Sequence, residues 1–197
     1  MHPLVARLDR WIRENRADYY AGLAPGASLE TIDHLIGESV PPLLREMLAW
    51  RNGNDDEAFL DNRTYMSVQR IRQTMDDMTG MAAGGEFDLA NWWCPDWVPF
   101  LAGAGGDNVC VDLGAAIGGQ PGQVVEFRHD DSVRPITNAS FEAWLGTYVE
   151  ALEAGLLAED EGENYSAADT DAYDALVTAR NPGYPVYVDL SAEASVG

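Results

Sequence analysis

The apolar residues of this chain change their spacing twice, and that change limits the fold more than any other feature. Up to residue 50 they recur at intervals of three and four, the period of a helix buried along one face. Leu4, Leu8, Trp11 and Ile12 form the first such stripe, with Arg7, Arg10, Arg13 and Glu14 on the opposite side. Pro3 suits a first-turn position, and this helix is expected to end between Asn15 and Tyr20. Ser28 is a good N-cap for a second helix carrying Leu29, Ile32, Leu35 and Ile36, which Gly37 closes. Pro41-Pro42 can open but not continue a third helix, whose Leu44, Met47 and Leu48 face inward. Asn52-Gly53-Asn54 ends it with residues that tolerate left-handed backbone.

After this block short strand-like runs take over. Ala58-Phe59-Leu60 and Thr64-Tyr65-Met66 read as strands, followed by a helix capped by Ser67 with Val68, Ile71, Met75 and Met78 on one stripe. Gly80 to Gly85 reads as a flexible stretch. From Trp92 the pattern is strands broken by turns: Trp97–Leu101, Val109–Leu113, Gln123–His129, and Arg134-Pro135-Ile136 as an edge strand, where a proline costs little. Ser140 then caps a helix with Phe141, Trp144, Leu145, Tyr148, Leu152 and Leu156 on one face. A strand meander flanked by helices predicts an α+β domain with a mainly antiparallel sheet, not alternating α/β. Residues 1–157 are expected to form this domain. Residues 158–197 are expected to be an acidic extension, opened by the solvated linker Glu159–Asn164 and carrying a short helix and a strand at Val186-Tyr187-Val188.

Charge narrows the function classes. The chain has 33 acidic residues against 12 basic ones, a net charge of −21, and every basic residue is Arg. The imbalance is uneven: −2 over residues 1–50, −10 over 51–150 and −9 over 151–197. Phosphate backbones need a basic footprint, so no nucleic-acid partner is expected. The same sign argument excludes an anionic membrane surface, and no apolar run approaches the about 18 residues of a membrane span. The N-terminal MHPLVARLDRWIREN lacks the apolar core of a signal peptide. A cytoplasmic protein with a basic protein partner is the expectation, unless the acidity serves solubility alone.

Catalytic signatures are weak. Gly103-Ala104-Gly105-Gly106-Asp107-Asn108 is glycine-rich, but no Lys follows as in a phosphate loop, and an apolar strand comes next instead of a helix. It reads as a tight turn. Asp107, Asp112, Glu126, Asp130 and Asp131 offer carboxylates for hydrolysis, yet acids are common enough in this chain to meet by chance. His2, His34 and His129 lack metal-ligand spacing. His129 reads as a hydrogen-bonded residue at a strand end. No Ser lies in G-x-S-x-G, and Cys94 and Cys110 form no C-x-x-C. No catalytic residue, cofactor or metal is assigned. Of Trp92, Trp93 and Trp97, at least two are expected in the core, and one left exposed would be an anchor for a partner.

The order of these pieces resembles a known family. The helix Ser28–Ile36, then Val40-Pro41-Pro42-Leu43-Leu44 through Met47-Leu48 to Asn52-Gly53, is similar to its opening. Trp97-Val98-Pro99-Phe100, Gly106-Asp107, Val111-Asp112-Leu113, Gly122-Gln123-Val124 and Ser140-Phe141 follow in its order. This is the SUKH superfamily in its Smi/Knr-type branch, which includes fungal cell-wall assembly regulators; many bacterial members are immunity proteins against polymorphic toxins. The resemblance covers about residues 28–155. It implies a curved sheet backed by helices, no enzymatic activity, and a protein-binding role, first as an immunity protein that neutralises a cytoplasm-acting toxin domain. The alternatives are a regulatory or scaffolding protein of the cell-wall type and, disfavoured above, a carbohydrate- or phosphate-acting hydrolase. Gly106, Asp107, Asp112 and the Trp92, Trp93 and Trp97 region are the family-motif or binding candidates.

Overall fold

The computed structural model describes residues 1–160 and 164–193. Four helices open the chain: α1 (Pro3–Asn15), α2 (Ala17–Gly22), α3 (Leu29–Ile36) and α4 (Pro42–Trp50). Strands β1 (Asn54–Leu60) and β2 (Arg63–Tyr65) precede α5 (Val68–Gly84). The meander is β3 (Trp97–Ala102), β4 (Asn108–Asp112), β5 (Gln123–Phe127) and β6 (Val133–Asn138), closed by α6 (Phe141–Glu153). The small hairpin β7 (Leu157–Glu159) and β8 (Tyr165–Ala167), then α7 (Thr170–Arg180), β9 (Val186–Asp189) and α8 (Leu190–Glu193) complete it. The large sheet has seven strands in the order β1-β2-β3-β4-β5-β6-β9, and every recorded pairing is antiparallel. It is one α+β domain.

Local chemistry explains the helix starts. The hydroxyls of Ser28, Ser67 and Ser140 accept from the N–H of Thr31, Arg70 and Ala143 at 3.1, 3.2 and 3.1 Å, each satisfying a first-turn donor. The sheet then sorts side chains by parity. Val98, Phe100, Val109, Val111 and Val124 share a core with α1, α4 and α6. Here Phe100 meets Trp144 at 4.7 Å between ring centroids, and Trp144 stacks on Tyr148 at 5.6 Å. Trp97, Cys110, Val125, Phe127 and Ile136 point the other way, into a second core with Trp93 and Leu190.

Three expectations change. Gly80 to Gly85 is not a flexible break: α5 runs to Gly84 and Gly85 caps it at φ 74°. Met78 and Ala82 pack on the second core, and that burial holds the last turns in helix. The segment around Pro135 is not an edge strand, because β6 lies between β5 and β9. The recorded register with β5 runs from Val124 opposite Asn138 to Val125 opposite Ile136 and stops short of Pro135, whose ring removes the next donor. Of the acidic run Glu159–Asn164, Glu159 ends β7 and Asp160 N–H donates to the Asn164 carbonyl, while residues 161–163 lie outside the described residues.

Candidate functional site

The glycine-rich turn is a platform for a histidine. Gly105 and Gly106 have φ values of 82° and 101°, which only glycine adopts cheaply. A side chain at Gly105 would also meet the His129 ring at 3.3 Å. Asp107, next in the chain, accepts twice through Oδ1: from the backbone N–H of His129 at 2.9 Å and from its Nδ1 at 2.8 Å. The carboxylate therefore ties the β3–β4 turn to the end of β5 instead of capping its own backbone. Partial burial pushes the Asp107 carboxyl up, but its bonds to His129 outweigh this and hold it below the usual carboxylate range. The Asp107 bond, against some desolvation and with help from the Asp130 charge, raises His129 above its ordinary value. Donor atoms of Asp107, His129 and Asp130 lie within 4.8 Å of one another, so these are the groups that would meet a cation on this surface.

Asp112 is wholly interior. Its Oδ1 accepts from the N–H of Gly114 at 3.1 Å and of Ala115 at 2.9 Å, and its Oδ2 accepts from Gln123 Nε2 at 3.0 Å. Gln123 also donates to the Gly118 carbonyl and accepts from the Gln120 N–H. The two side chains thus fold the loop between β4 and β5 back on itself. Glu126 is held between Arg63 at 3.7 Å and Arg128 at 3.3 Å. Cys94 and Cys110 are free and buried; burial pushes the Cys94 thiol up to about 11 and the Cys110 thiol well above its usual value, so neither offers a thiolate at neutral pH.

The three tryptophans separate. Trp93 and Trp97 are interior, with ring centroids 5.6 Å apart edge to face, and Trp93 meets Phe127 in the same way at 5.3 Å. Trp92 is half-buried and covers Arg134, whose guanidinium lies 4.5 Å from the Trp92 ring and 4.8 Å from that of Phe127. Arg134 is fully buried. It donates to the backbone carbonyls of Asp131 and Trp92, and desolvation pushes it down to about 10. This arginine pins the irregular segment before β3 onto the sheet. Sequence reasoning missed it. The available signal was its parity, since Arg134 and Ile136 alternate onto the same face of β6.

Trp92 and His129 meet at one surface cleft of about 350 Å³, whose remaining lining is Glu86, Phe87, Asp88 and Leu89. Its aromatic wall and acidic rim suit a cationic side chain with an apolar stem. Of the sequence candidates, Trp92 lines it directly, and Asp107 and Gly106 support it through His129. Trp93, Trp97 and Asp112 lie inside the protein.

Residues 26–147 match the sequence profile described as the SMI1 / KNR4 family (SUKH-1). The chain is also 25% identical, over an alignment of 187 residues, to the "Cell wall biosynthesis/cell cycle regulator smi1" of Schizosaccharomyces pombe (strain 972 / ATCC 24843). That alignment covers 80% of this chain and 37% of the relative, so the chain spans little more than a third of the longer protein. No helix of the described residues is long and apolar enough to cross a membrane.

Proposed function

The chain belongs to the SMI1/KNR4 family (SUKH-1), and from that premise we propose that it is a non-catalytic protein-binding domain of the regulatory or scaffolding kind. The observation that carries this is the family match, together with a fission-yeast relative named as a cell-wall biosynthesis and cell-cycle regulator. The use made of the polar groups supports it. Asp112 is saturated by the loop it folds, and Glu126 is held by two arginines. The cleft at Trp92 then acts as a seat for a basic side chain of the partner. The segment from residue 158 onward is proposed as an acidic extension of the family core; its position beyond residues 26–147 and its excess of carboxylates support this.

A toxin-neutralising role is the second reading. The net charge of −21 favours it, since an acidic inhibitor suits a basic toxin domain. The relative's name weighs toward regulation. Deleting the gene in its own cell separates the two. The regulatory reading expects altered sensitivity to cell-wall stress with no toxin gene present, restored by returning the unaltered gene. The immunity reading expects death only where a neighbouring toxin gene is intact. A deletion strain unchanged in both settings overturns both.

A further inference from the structure

Two strands bound the large sheet, β1 and β9. The end of β1 is covered, because Asp61 and Tyr165 of the small hairpin exchange backbone hydrogen bonds at 2.7 and 3.0 Å. Among the described residues β9 pairs with β6 alone. Its register sets Val133 opposite Asp189, Arg134 opposite Val188, Pro135 opposite Tyr187 and Ile136 opposite Val186. In antiparallel pairs, opposite residues alternate between exchanging both hydrogen bonds and exchanging none. Just past β9, Leu190 N–H donates to the Ser132 carbonyl at 3.1 Å, which fixes the parity. Val186 and Val188 therefore turn their backbone groups toward β6, whereas Tyr187 turns its N–H and C=O outward and Asp189 its N–H, the Asp189 carbonyl being the first acceptor of α8.

The side chains on this edge are unusual as well. Val186 is 45% exposed and Tyr187 66%. An apolar edge with free backbone groups is a template for another strand. Its surroundings set the chemistry of that strand. Asp189 ends β9, and the β5–β6 turn beside it carries Asp130 and Asp131, the same turn that brings His129 to the Trp92 cleft. The edge is therefore continuous with the candidate site and of the same sign.

We propose that the outer edge of β9 is a docking edge for an extended basic segment of a partner protein, which adds to the sheet as a further strand. This rests on the protein-binding reading and names the surface used. The outward N–H and C=O of Tyr187 and the outward N–H of Asp189 supply the main-chain bonds, and Val186 and Tyr187 supply apolar contact. A second copy of the chain is the poorer occupant. It would set Asp189 and its acidic neighbours against the same groups of another molecule carrying −21. A pairing of four residues also falls far short of the roughly 1,000 Å² a stable interface buries.

The probe is a synthetic heptapeptide of alternating Lys and Val, blocked at both ends, titrated into the isotopically labelled chain. Amide shifts that saturate at residues 186–191, with slowed exchange at the Tyr187 and Asp189 amides, are expected. Tyr187→Pro removes an outward donor that β6 does not use, and should weaken the complex about tenfold. Tyr187→Thr, which keeps that donor, should retain main-chain pairing. Because a variant can misfold, the same loss is sought on the peptide side by N-methylating alternate residues. Shifts scattered over every acidic surface, or insensitivity to N-methylation, overturn the proposal. So does finding the Tyr187 and Asp189 amides already protected in the free chain, whether by its own C-terminal residues or by a dimer seen in sedimentation. A natural partner that binds Tyr187→Pro unchanged would refute the edge assignment and leave the protein-binding reading standing.

Discussion

Asp112 and Gln123 stand opposite each other on β4 and β5, and their side chains meet in a fully buried hydrogen bond of 3.0 Å. One carboxylate thereby organises three donors: the Gln123 amide and the N–H groups of Gly114 and Ala115. Replacing it with Ala leaves the N–H groups of Gly114 and Ala115 without this acceptor and the Gln123 amide with the Gly118 carbonyl alone. Asp112→Ala is expected to lower unfolding free energy by about 3 kcal/mol, read from urea denaturation. Asp112→Asn keeps carbonyl acceptance and should cost clearly less. Equal losses in the two variants would mean that the charge, not the acceptor geometry, matters.

Gly119 lies in the same loop at φ 80°, and a Cβ there would come within 2.0 Å of Gln123 Oε1. Gly119→Ala should therefore strain the backbone and push Gln123 off Asp112, costing more than about 1 kcal/mol. Combined with Asp112→Ala, its effect should be less than additive, since both break one network. Full additivity in a double-mutant cycle would separate the two positions.

The Asp107–His129 pair predicts a pH window. His129 is raised in the folded chain, so its contribution is complete below its unfolded value of about 6.5 and is lost as pH rises through the higher folded value. Asp107 is lowered, so its contribution is present above about 3.9 and is lost as pH falls through the folded value. Stability of the native chain relative to His129→Gln should peak between about pH 4 and 6.5. Urea midpoints across this range check it; a difference that stays flat on going alkaline counts against the bond.

Arg134 ties Trp92 to Phe127 from below. Arg134→Ala opens a cavity and leaves the Trp92 and Asp131 carbonyls unpaired, at an expected cost of about 3 kcal/mol. The Trp92 segment should loosen with it, shifting tryptophan emission to the red at denaturant levels where the far-ultraviolet signal is intact. Simultaneous loss of both signals would show that this segment does not open by itself.

Partner association should be fast and salt-sensitive. Raising ionic strength from about 0.15 M to 1 M shortens screening from about 8 Å to 3 Å, and should slow association much more than it speeds dissociation. Trp92→Ala should act on dissociation instead, because an aromatic anchor works after encounter. Stopped-flow rates separate the two effects. An association rate indifferent to salt would assign the acidity to solubility.

Much of this was legible in the sequence because it is local. Helix starts follow from Ser28, Ser67 and Ser140 accepting bonds from residues three positions on, and the α+β layout follows from a change of apolar period. The family follows from the order of short motifs between residues 26 and 147. What only the tertiary structure decided depends on residues far apart in the chain. Pro135 suggested an edge, yet a strand 51 residues further on covers that side of β6, since Pro135 stands opposite Tyr187 at a step needing no bond between them. Asp107 finds His129 22 residues away. Which tryptophan remains near the surface was settled when buried Arg134 turned beneath Trp92, because local sequence sets the direction of a side chain but not what lies across from it.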